Sequence, residues 1–397
     1  MPNVVLLPGH VQPVWAGHPW IFAQAVARID GGATAGDPID VVDPRGNWLG
    51  RGLYSPGSAI VVRICTRVQS TALDAAFFLS RIEREIERRK ALGFPSARTN
   101  AYRVVNAEGD DLPGLIVDAY ADTLVVQFGT IGMKQRQGLI LDALTRALGN
   151  KTILDRTSDR TARLEGFTSE RGVVKGDAQF RQLEFSERGF QYQLPIELGQ
   201  KTGFYLDQRN LRGRVEQLAA GKRVLDAYCF VGSFSLSAAR GGAAEVVAVD
   251  SSALALEAAA RQAELNQLAG KTQYQHEDAI AALSRAAKSG GYDLVICDPP
   301  KLSPSRATRN KALAGLRRVA AAACSATRAG GLLVICLCSA SLGIEELTRA
   351  LSLGSRDVNR TPRIFERWFQ GPAHPVLAAF GEGWYLSSVI AQVDPAS

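Results

Sequence analysis

From about residue 191 onward, short apolar runs alternate with Ala-rich segments whose polar residues recur at helical spacing. The apolar runs are nearly continuous, which is typical of parallel strands buried on both faces of a sheet. The predicted strands are 223–228, 245–250, 292–298 and 332–338, and the predicted helices are 233–240, 253–268 and 311–327. This alternation predicts a doubly wound α/β sheet.

The first half of the chain follows two other patterns. Residues 1 to about 72 are short apolar runs separated by turn residues, such as the DPRGN sequence at 43–47, which predicts a small all-β domain. Residues 73–190 predict a helix, two strands, a second helix and further strands, and therefore an α+β domain. We predict three domains at 1–72, 73–190 and 191–397, a number that the length of 397 residues also favours.

The helix predicted at 74–92 has Asp74 as its candidate N-cap. Phe78, Ile82 and Ile86 recur at helical spacing and predict its buried stripe. The charged positions are expected to form a solvated face, and they are Arg84, Glu85, Arg88, Arg89 and Lys90.

Composition adds expectations about partners and compartment. The 46 Lys plus Arg against 39 Asp plus Glu give a net charge of +7, which fits a nucleic-acid partner without requiring one. Six cysteines without a CxxC pair disfavour a disulfide framework or a zinc site and fit a reducing compartment. The sequence has no run of 18 apolar residues, and its start, MPNVVLLPGH, lacks a signal-peptide pattern. We expect a cytoplasmic protein without a membrane span or a metal, and homodimer formation stays open.

The carboxyl ends of the predicted strands carry a candidate cofactor site, because ligands of doubly wound sheets lie there. After the first strand, Gly232 permits close backbone approach, and the helix that follows presents free N–H groups. The second strand ends at Asp250, which could accept hydrogen bonds from ribose hydroxyls, and the third ends at Asp278, which could reach an adenine amino group. A dinucleotide fold is disfavoured because GxGxxG is absent. We therefore predict S-adenosylmethionine, and the candidate cofactor residues are Asp226, Tyr228, Gly232, Phe234, Asp250, Asp278, Asp298 and Pro299.

The fourth strand ends in Asp298-Pro299-Pro300-Lys301, where two prolines fix a loop beside the predicted methyl donor. Enzymes that methylate amino groups normally place an aromatic residue after such prolines to stack the target base. Lys301 stands at that position, which disfavours methylation of an exocyclic nitrogen.

The fifth strand ends in Cys338, which is the candidate nucleophile. Carbon 5 of a pyrimidine is a poor nucleophile, but a thiolate that adds at carbon 6 activates it, and a carboxylic acid at the ring nitrogen stabilises the developing charge. Cys338 can supply the thiolate and Asp298 the acid, since adjacent strand ends meet. Cys336 lies two residues deeper on the same face and is expected in the core. An unperturbed cysteine is only about 3% thiolate at neutral pH, so Cys338 requires activation.

Between these two motifs lies a stretch of basic residues without an acidic one. We predict that it holds RNA phosphates, and that the target base is unpaired or flipped out. The candidate RNA-binding residues are Lys301, Arg306, Arg309, Lys311, Arg317 and Arg318.

Nearly the whole chain resembles the bacterial 23S rRNA 5-methylcytosine methyltransferases of the RlmI type. HPWIF at 18–22 resembles their N-terminal PUA domain, an RNA-binding β-barrel. VNAEGDDLPGL at 105–115 resembles the signature of their central EEHEE domain, and GQKTGFYLDQR at 199–209 is similar to the segment that opens their catalytic domain and lines the cofactor pocket. The resemblance implies a Rossmann-like class I methyltransferase domain after these two domains.

The resemblance also implies residue roles. Cys338 occupies the family's nucleophile position, Asp298 the acid position, and Gln208 lies in the pocket-lining segment; the implied substrate is a cytosine of large-subunit ribosomal RNA. Two alternatives stay open: methylation of another base atom, and a non-catalytic RNA-binding factor for ribosome assembly. The chain departs from the family pattern at Val231, Ser233, Leu302, Leu337 and Ala373.

Overall fold

The computed structural model describes residues 1–149, 151–198, 202–301, 309–339 and 341–396. They form two compact units. Unit 1 consists of Met1–Gly189, Pro195–Leu206 and Pro372–Gly383, and unit 2 of Phe190–Leu194, Asp207–Gly371 and Trp384–Ser397. The finer division into three domains stays a prediction.

Unit 1 begins with a six-stranded sheet among its described residues. Its strands are β1 (Asn3–Leu6), β2 (Trp20–Phe22), β3 (Val26–Asp30), β4 (Pro38–Val42), β5 (Trp48–Tyr54) and β6 (Ile60–Thr66), and a short helix α1 (Val11–Trp15) follows β1. The spatial order is β2-β6-β5-β4-β1-β3. Apolar side chains of these strands, including Val4, Ile39 and Val62, form one core. The six-stranded sheet confirms the predicted strands of the N-terminal residues, but the short helix α1 was not predicted.

The rest of unit 1 is an α+β arrangement around a second sheet. In chain order its elements are α2 (Ala75–Ala91), β7 (Ala101–Asn106), β8 (Leu115–Tyr120), β9 (Thr123–Phe128), α3 (Ile131–Gln135), α4 (Gln137–Leu148), β10 (Thr152–Asp155), α5 (Asp159–Glu165), β11 (Gly172–Lys175) and β12 (Gln182–Glu187). The described strands of this sheet follow the order β11-β10-β9-β8-β7. Phe78, Ile82 and Ile86 of α2 are buried in its core, as their spacing predicts.

Helix α2 begins where the sequence predicts, because the Asp74 side chain accepts a hydrogen bond from the Phe77 N–H at 3.0 Å. The expectation of a fully solvated charged face was wrong, since Glu85 and Arg89 are completely buried. Arg89 donates to Glu85 at 3.0 Å and to Asp110 at 2.6 and 2.9 Å. A charge can be buried when it is paired and hydrogen-bonded. The partner that permits this lies 21 residues away, so helical spacing could not reveal it.

Unit 2 is the doubly wound sheet. The chain enters it along β13 (Phe190–Pro195), and its further elements are α6 (Arg209–Leu218), β14 (Arg223–Ala227), α7 (Ser233–Arg240), β15 (Glu245–Asp250), α8 (Ala253–Leu265), β16 (Thr272–His276), α9 (Ala279–Lys288), β17 (Tyr292–Cys297), α10 (Arg309–Ala326), β18 (Thr327–Cys338), α11 (Ile344–Arg356), β19 (Arg360–Phe369) and β20 (Leu386–Pro395). The described strands are ordered β16-β15-β14-β17-β18-β20-β19. The first five strands in that order are parallel, and β20 lies antiparallel between β18 and β19.

The parallel register brings the strand ends of the candidate site to one edge. Ala227 lies opposite Cys297, and Cys297 lies opposite Ile335, three residues before Cys338. Ile335 and Leu337 pack into the core formed with α9, α10 and α11. Because side chains alternate along a strand, Cys336 and Cys338 lie on the opposite face.

None of the helices in the described part of the chain is both long and apolar enough to cross a membrane.

Candidate functional site

The turn between β14 and α7 has an unusual backbone. Tyr228 (φ 64°), Phe230 (φ 51°) and Gly232 (φ 71°) all adopt left-handed conformations. For the two residues that carry a side chain this geometry is strained, and such strain persists only when the surroundings hold it. One such restraint is Asp250 at the end of β15, which accepts a hydrogen bond from the Phe230 N–H at 2.9 Å. The strained turn and the acidic strand end therefore form one assembly.

Gly232 meets two requirements of this turn. Its positive φ favours glycine, and a Cβ at this position would lie 3.0 Å from the Cβ of Ala259 on α8. Gly232 precedes Ser233, the first residue of α7, and Phe234 is buried behind it. The turn thus packs closely against α8 while the amino end of α7 begins beside it, an arrangement suited to a ligand held by backbone N–H groups.

Asp226 lies within β14 below the turn and is completely buried. Ser235 Oγ donates to its Oδ2 at 2.6 Å, whereas Oδ1 has no hydrogen-bond partner among the described residues. The pKa of Asp226 is raised to about 7, chiefly by burial; the Ser235 hydrogen bond opposes this shift and the charge of Asp298 adds to it. A buried oxygen without a hydrogen-bond partner can accept a hydrogen bond from a ligand or lie beside a cationic group of that ligand. The methionine part of S-adenosylmethionine carries such a cation, its ammonium group.

The other two acidic positions have structural roles of their own. Asp250 accepts from the backbone N–H of Phe230 through Oδ2 and from that of Ser252 through Oδ1, each at 2.9 Å. Strand β16 ends at His276, and Asp278 caps α9 by accepting from the Ala281 N–H at 3.0 Å. Each carboxylate oxygen can accept more than one hydrogen bond, so these contacts leave capacity for a ligand. The assignments to ribose and adenine stay predictions.

Asp298 follows β17 directly, and its backbone N–H donates to the Ala227 carbonyl at 3.4 Å. Its Oδ2 accepts a hydrogen bond at 2.9 Å from Nε2 of Gln208, which is buried at the start of α6. The neighbouring Asp207 is fixed as well, since Tyr385 Oη donates to its Oδ2 at 2.7 Å. A buried amide therefore orients the candidate acid. The resemblance of residues 199–209 to a pocket-lining segment predicts that Gln208 belongs to the site, but the sequence does not predict its contact with Asp298.

The prolines and Lys301 follow at the same sheet edge. Pro299 is buried, whereas Pro300 and Lys301 are exposed. Leu302 and Arg306, both singled out in the sequence, lie outside the described residues.

The cysteines differ sharply in environment. Cys338 ends β18 and is partly exposed, whereas the other five are buried. Burial raises the pKa of Cys336 and Cys297 well above its ordinary value, and the nearby Asp298 charge adds to both. Burial also raises the pKa of Cys65 and Cys324 to about 12 and that of Cys229 well above its usual value. Since the thiolate is the nucleophile, Cys338 is the best placed of the six.

The positive charge of the basic stretch is partly balanced by acidic residues from elsewhere in the chain. Lys301, Lys311, Arg317 and Arg318 are exposed, and so is Arg309. However, Arg309 pairs with Glu346 and Arg317 pairs with Asp357, both contributed by α11 or its end. These acids lie 37 and 40 residues further along the chain, so the stretch itself gave no sign of them. Phosphate binding by this stretch stays a prediction.

Among the residues that the structure describes, no group of three or more His, Cys, Asp or Glu side chains could hold a metal ion. The parallel sheet with its inserted antiparallel strand, the glycine turn and the acidic strand ends define a class I S-adenosylmethionine-dependent methyltransferase. The model of the S-adenosylmethionine-dependent methyltransferase family matches residues 168–368, and that of the PUA-like domain matches 4–67.

Two relatives cover nearly the whole chain. "Ribosomal RNA large subunit methyltransferase I" of Alteromonas mediterranea is 35% identical over 98% of each chain. The protein of the same name from Yersinia pestis is 33% identical over 98% of this chain and 99% of its own. The chain therefore belongs to the ribosomal RNA large subunit methyltransferase I family.

Solved structures agree with the fold. A chain from Streptococcus mutans described as a SAM-dependent methyltransferase has a TM-score of 0.83 and 19% identity, covering 99% of this chain and 100% of its own. A methyltransferase complexed with SAH has a TM-score of 0.86 at 19% identity and the same coverage.

Proposed function

We propose that this protein methylates carbon 5 of a cytosine in large-subunit ribosomal RNA through a covalent adduct with Cys338. The observation that carries the proposal is the partly exposed Cys338 at the end of β18, beside the strand that Asp298 follows. The five other cysteines are buried. The substrate follows from the relatives, which are named as methyltransferases of large-subunit ribosomal RNA.

The proposed chemistry assigns one task to each group. The Cys338 thiolate adds to carbon 6 of the cytosine, an Sγ–C6 bond forms, and carbon 5 gains electron density. When bound, S-adenosylmethionine would supply the methyl group for the new bond to carbon 5, and it would leave as S-adenosylhomocysteine once its S–CH3 bond is broken. A base then removes the proton from carbon 5, the Sγ–C6 bond breaks, and the aromatic ring is restored.

Asp298 is proposed to stabilise the charge that develops on the ring. Because Gln208 donates to Oδ2, that oxygen is an acceptor, and a proton on the acid would reside on Oδ1. Protonated Oδ1 can donate to the ring nitrogen when the thiolate adds. Gln208 is thus proposed as a positioning residue for Asp298 as well as part of the cofactor pocket.

The cofactor is proposed to lie against the turn after β14. The residues that would hold it are Gln208, Asp226, Tyr228, Gly232, Phe234, Asp250, Asp278, Asp298 and Pro299. Two observations support this assignment: Asp226 Oδ1 has no hydrogen-bond partner among the described residues, and the turn packs closely at Gly232. Both are features that an apolar pocket would not need.

The RNA must present an unpaired or flipped cytosine, since a stacked base cannot reach a strand end. Lys301, Lys311 and Arg318 are exposed cations near this edge and are proposed to contact phosphates. Arg309 and Arg317 would first have to exchange their carboxylate partners for phosphates.

The test is methyl transfer from labelled S-adenosylmethionine to unmodified large-subunit ribosomal RNA, followed by mass spectrometry of the nucleosides. We expect 5-methylcytidine with the wild-type protein, none with Cys338→Ala, and retained product with Cys336→Ala as the matched control on the same strand. Cofactor binding measured by calorimetry should persist in both variants. A different methylated nucleoside, or full activity of Cys338→Ala, would contradict the proposal.

A further inference from the structure

Two large aromatic side chains lie in contact on the surface of unit 2. Phe369 is the last residue of β19, and Trp384 lies two residues before β20. Their exposed fractions are 38% and 49%, and their ring centroids lie 5.2 Å apart at 62°. A paired aromatic surface left open to water is a common mark of a binding site.

This pair lies at the same sheet edge as Cys338. Strand β20 is antiparallel to β18, Leu386 lies opposite Cys338, and the Ser339 N–H donates to the Tyr385 carbonyl at 2.7 Å. Phe369 lies opposite Ser387 on the other side of β20. Strand spacings of about 4.8 Å therefore put the end of β19 roughly 10 Å from that of β18. By this register the Phe369 side chain projects from the sheet face of Leu337, opposite to that of Cys338, so a substrate that extends beyond the nucleotide at Cys338 would reach the pair by passing over the strand ends.

A cationic side chain, that of Arg367, lies two residues before Phe369 on the same strand. Arg367 on β19 has a 54% exposed side chain, and its contact with Glu345 is long, at 4.0 Å, with Glu345 itself 81% exposed. Such exposed pairs contribute little and are readily exchanged for a phosphate. Aromatic rings next to a cation are how proteins bind single-stranded nucleic acid without reading its sequence.

We infer that Phe369 and Trp384 form a stacking platform for an unpaired base next to the target cytosine, with Arg367 at the adjoining phosphate. The inference rests on the proposed function and names the surface that would hold the substrate. An RNA whose target base leaves the stack also exposes the neighbouring bases, and stacking on protein rings replaces the contact they lose.

The test is steady-state methylation of unmodified large-subunit ribosomal RNA by Trp384→Ala and Phe369→Ala at saturating S-adenosylmethionine. We expect the KM for RNA to rise about 5- to 150-fold, as for the loss of one stacked base, with a much smaller change in kcat. Trp384→Phe should restore most of the wild-type KM. Phe365→Ala is the matched control, because Phe365 is 51% exposed on the same strand but lies away from its end.

The inference is overturned if both alanine variants keep the wild-type KM, or if Phe365→Ala raises it equally. It is also overturned if sedimentation shows that the wild type is a dimer and Trp384→Ala a monomer, since a second copy would then cover the pair. If the wild type methylates no RNA, the proposed function fails and the platform fails with it. Active wild type with unaffected variants removes the platform alone.

Discussion

Gln208 is the residue whose role follows most directly from a single contact. Its amide donates to Asp298, so Gln208→Ala should lower kcat by about 10-fold, as expected for the loss of one hydrogen bond that orients the acid, with little change in the KM for RNA. Gln208→Glu puts two carboxyl groups together, which raises the pKa of Asp298 and should move the pH profile of kcat towards higher pH. Both effects are measured by steady-state kinetics across pH.

Gln262 provides the control for this prediction. It is also a buried glutamine of unit 2, and its Nε2 donates to the carbonyls of Gln193 and Ala258 at 2.8 and 3.1 Å. Gln262→Ala should lower stability without moving the pH profile. Equal kcat and pH profiles for the wild type and both Gln208 variants would show that Gln208 does not position the acid.

The sequence predicted site residues that local patterns identify, but it did not predict contacts between residues that are far apart along the chain. Asp298 and Cys338 follow from the ends of apolar runs, which local patterns reveal. The contact of Gln208 with Asp298 spans 90 residues, and the pairing of Arg309 with Glu346 spans 37, so neither is visible from spacing. Cys336 and Cys338 share a strand face and were separable only by depth in the strand, and the structure confirms that Cys336 is buried.

At the scale of elements, the turn between β14 and α7 carries the sharpest prediction. Gly232→Ala places a Cβ in a left-handed conformation and 3.0 Å from Ala259, so the turn must shift. Gly221→Ala is matched to it, because Gly221 has a φ of 68° but no atom within 4 Å of the added Cβ.

Both glycine variants should lose about 1–2 kcal/mol of unfolding free energy from the left-handed alanine. Only Gly232→Ala should also weaken S-adenosylmethionine binding, by about tenfold, which corresponds to about 1.4 kcal/mol. Thermal unfolding and calorimetry measure the two effects. Equal cofactor affinity in the two variants would place the cofactor away from this turn.

Elements were predicted well where the apolar pattern was strong. The helix at 233–240 has its predicted bounds, and the parallel strands of unit 2 lie where the apolar runs are. Strand β18 begins at Thr327 rather than at 332, because its first residues are polar or small and lack a strand pattern. Helix α2 was predicted with the correct start, but its buried Glu85 and Arg89 depend on Asp110, which no helical pattern includes.

At the scale of the whole molecule, charge and fold agree with an RNA substrate. The net charge of +7 is modest, and two residues of the basic stretch, Arg309 and Arg317, pair with acids. Affinity for RNA would therefore depend on stacking and shape as well as on phosphate contacts. The PUA-like domain model matches residues 4–67, and the resemblance to an RNA-binding barrel predicts a second region of RNA contact there.

The most direct test of the covalent mechanism uses large-subunit ribosomal RNA transcribed with 5-fluorocytidine. Fluorine at carbon 5 cannot be removed as a proton, so the adduct should persist once the methyl group has been added. In the presence of S-adenosylmethionine, we predict a denaturant-resistant protein–RNA complex whose cross-linked peptide contains Cys338, and none with Cys338→Ala. Formation of 5-methylcytidine from ordinary RNA without a trapped complex, or a cross-link at another residue, would contradict the mechanism.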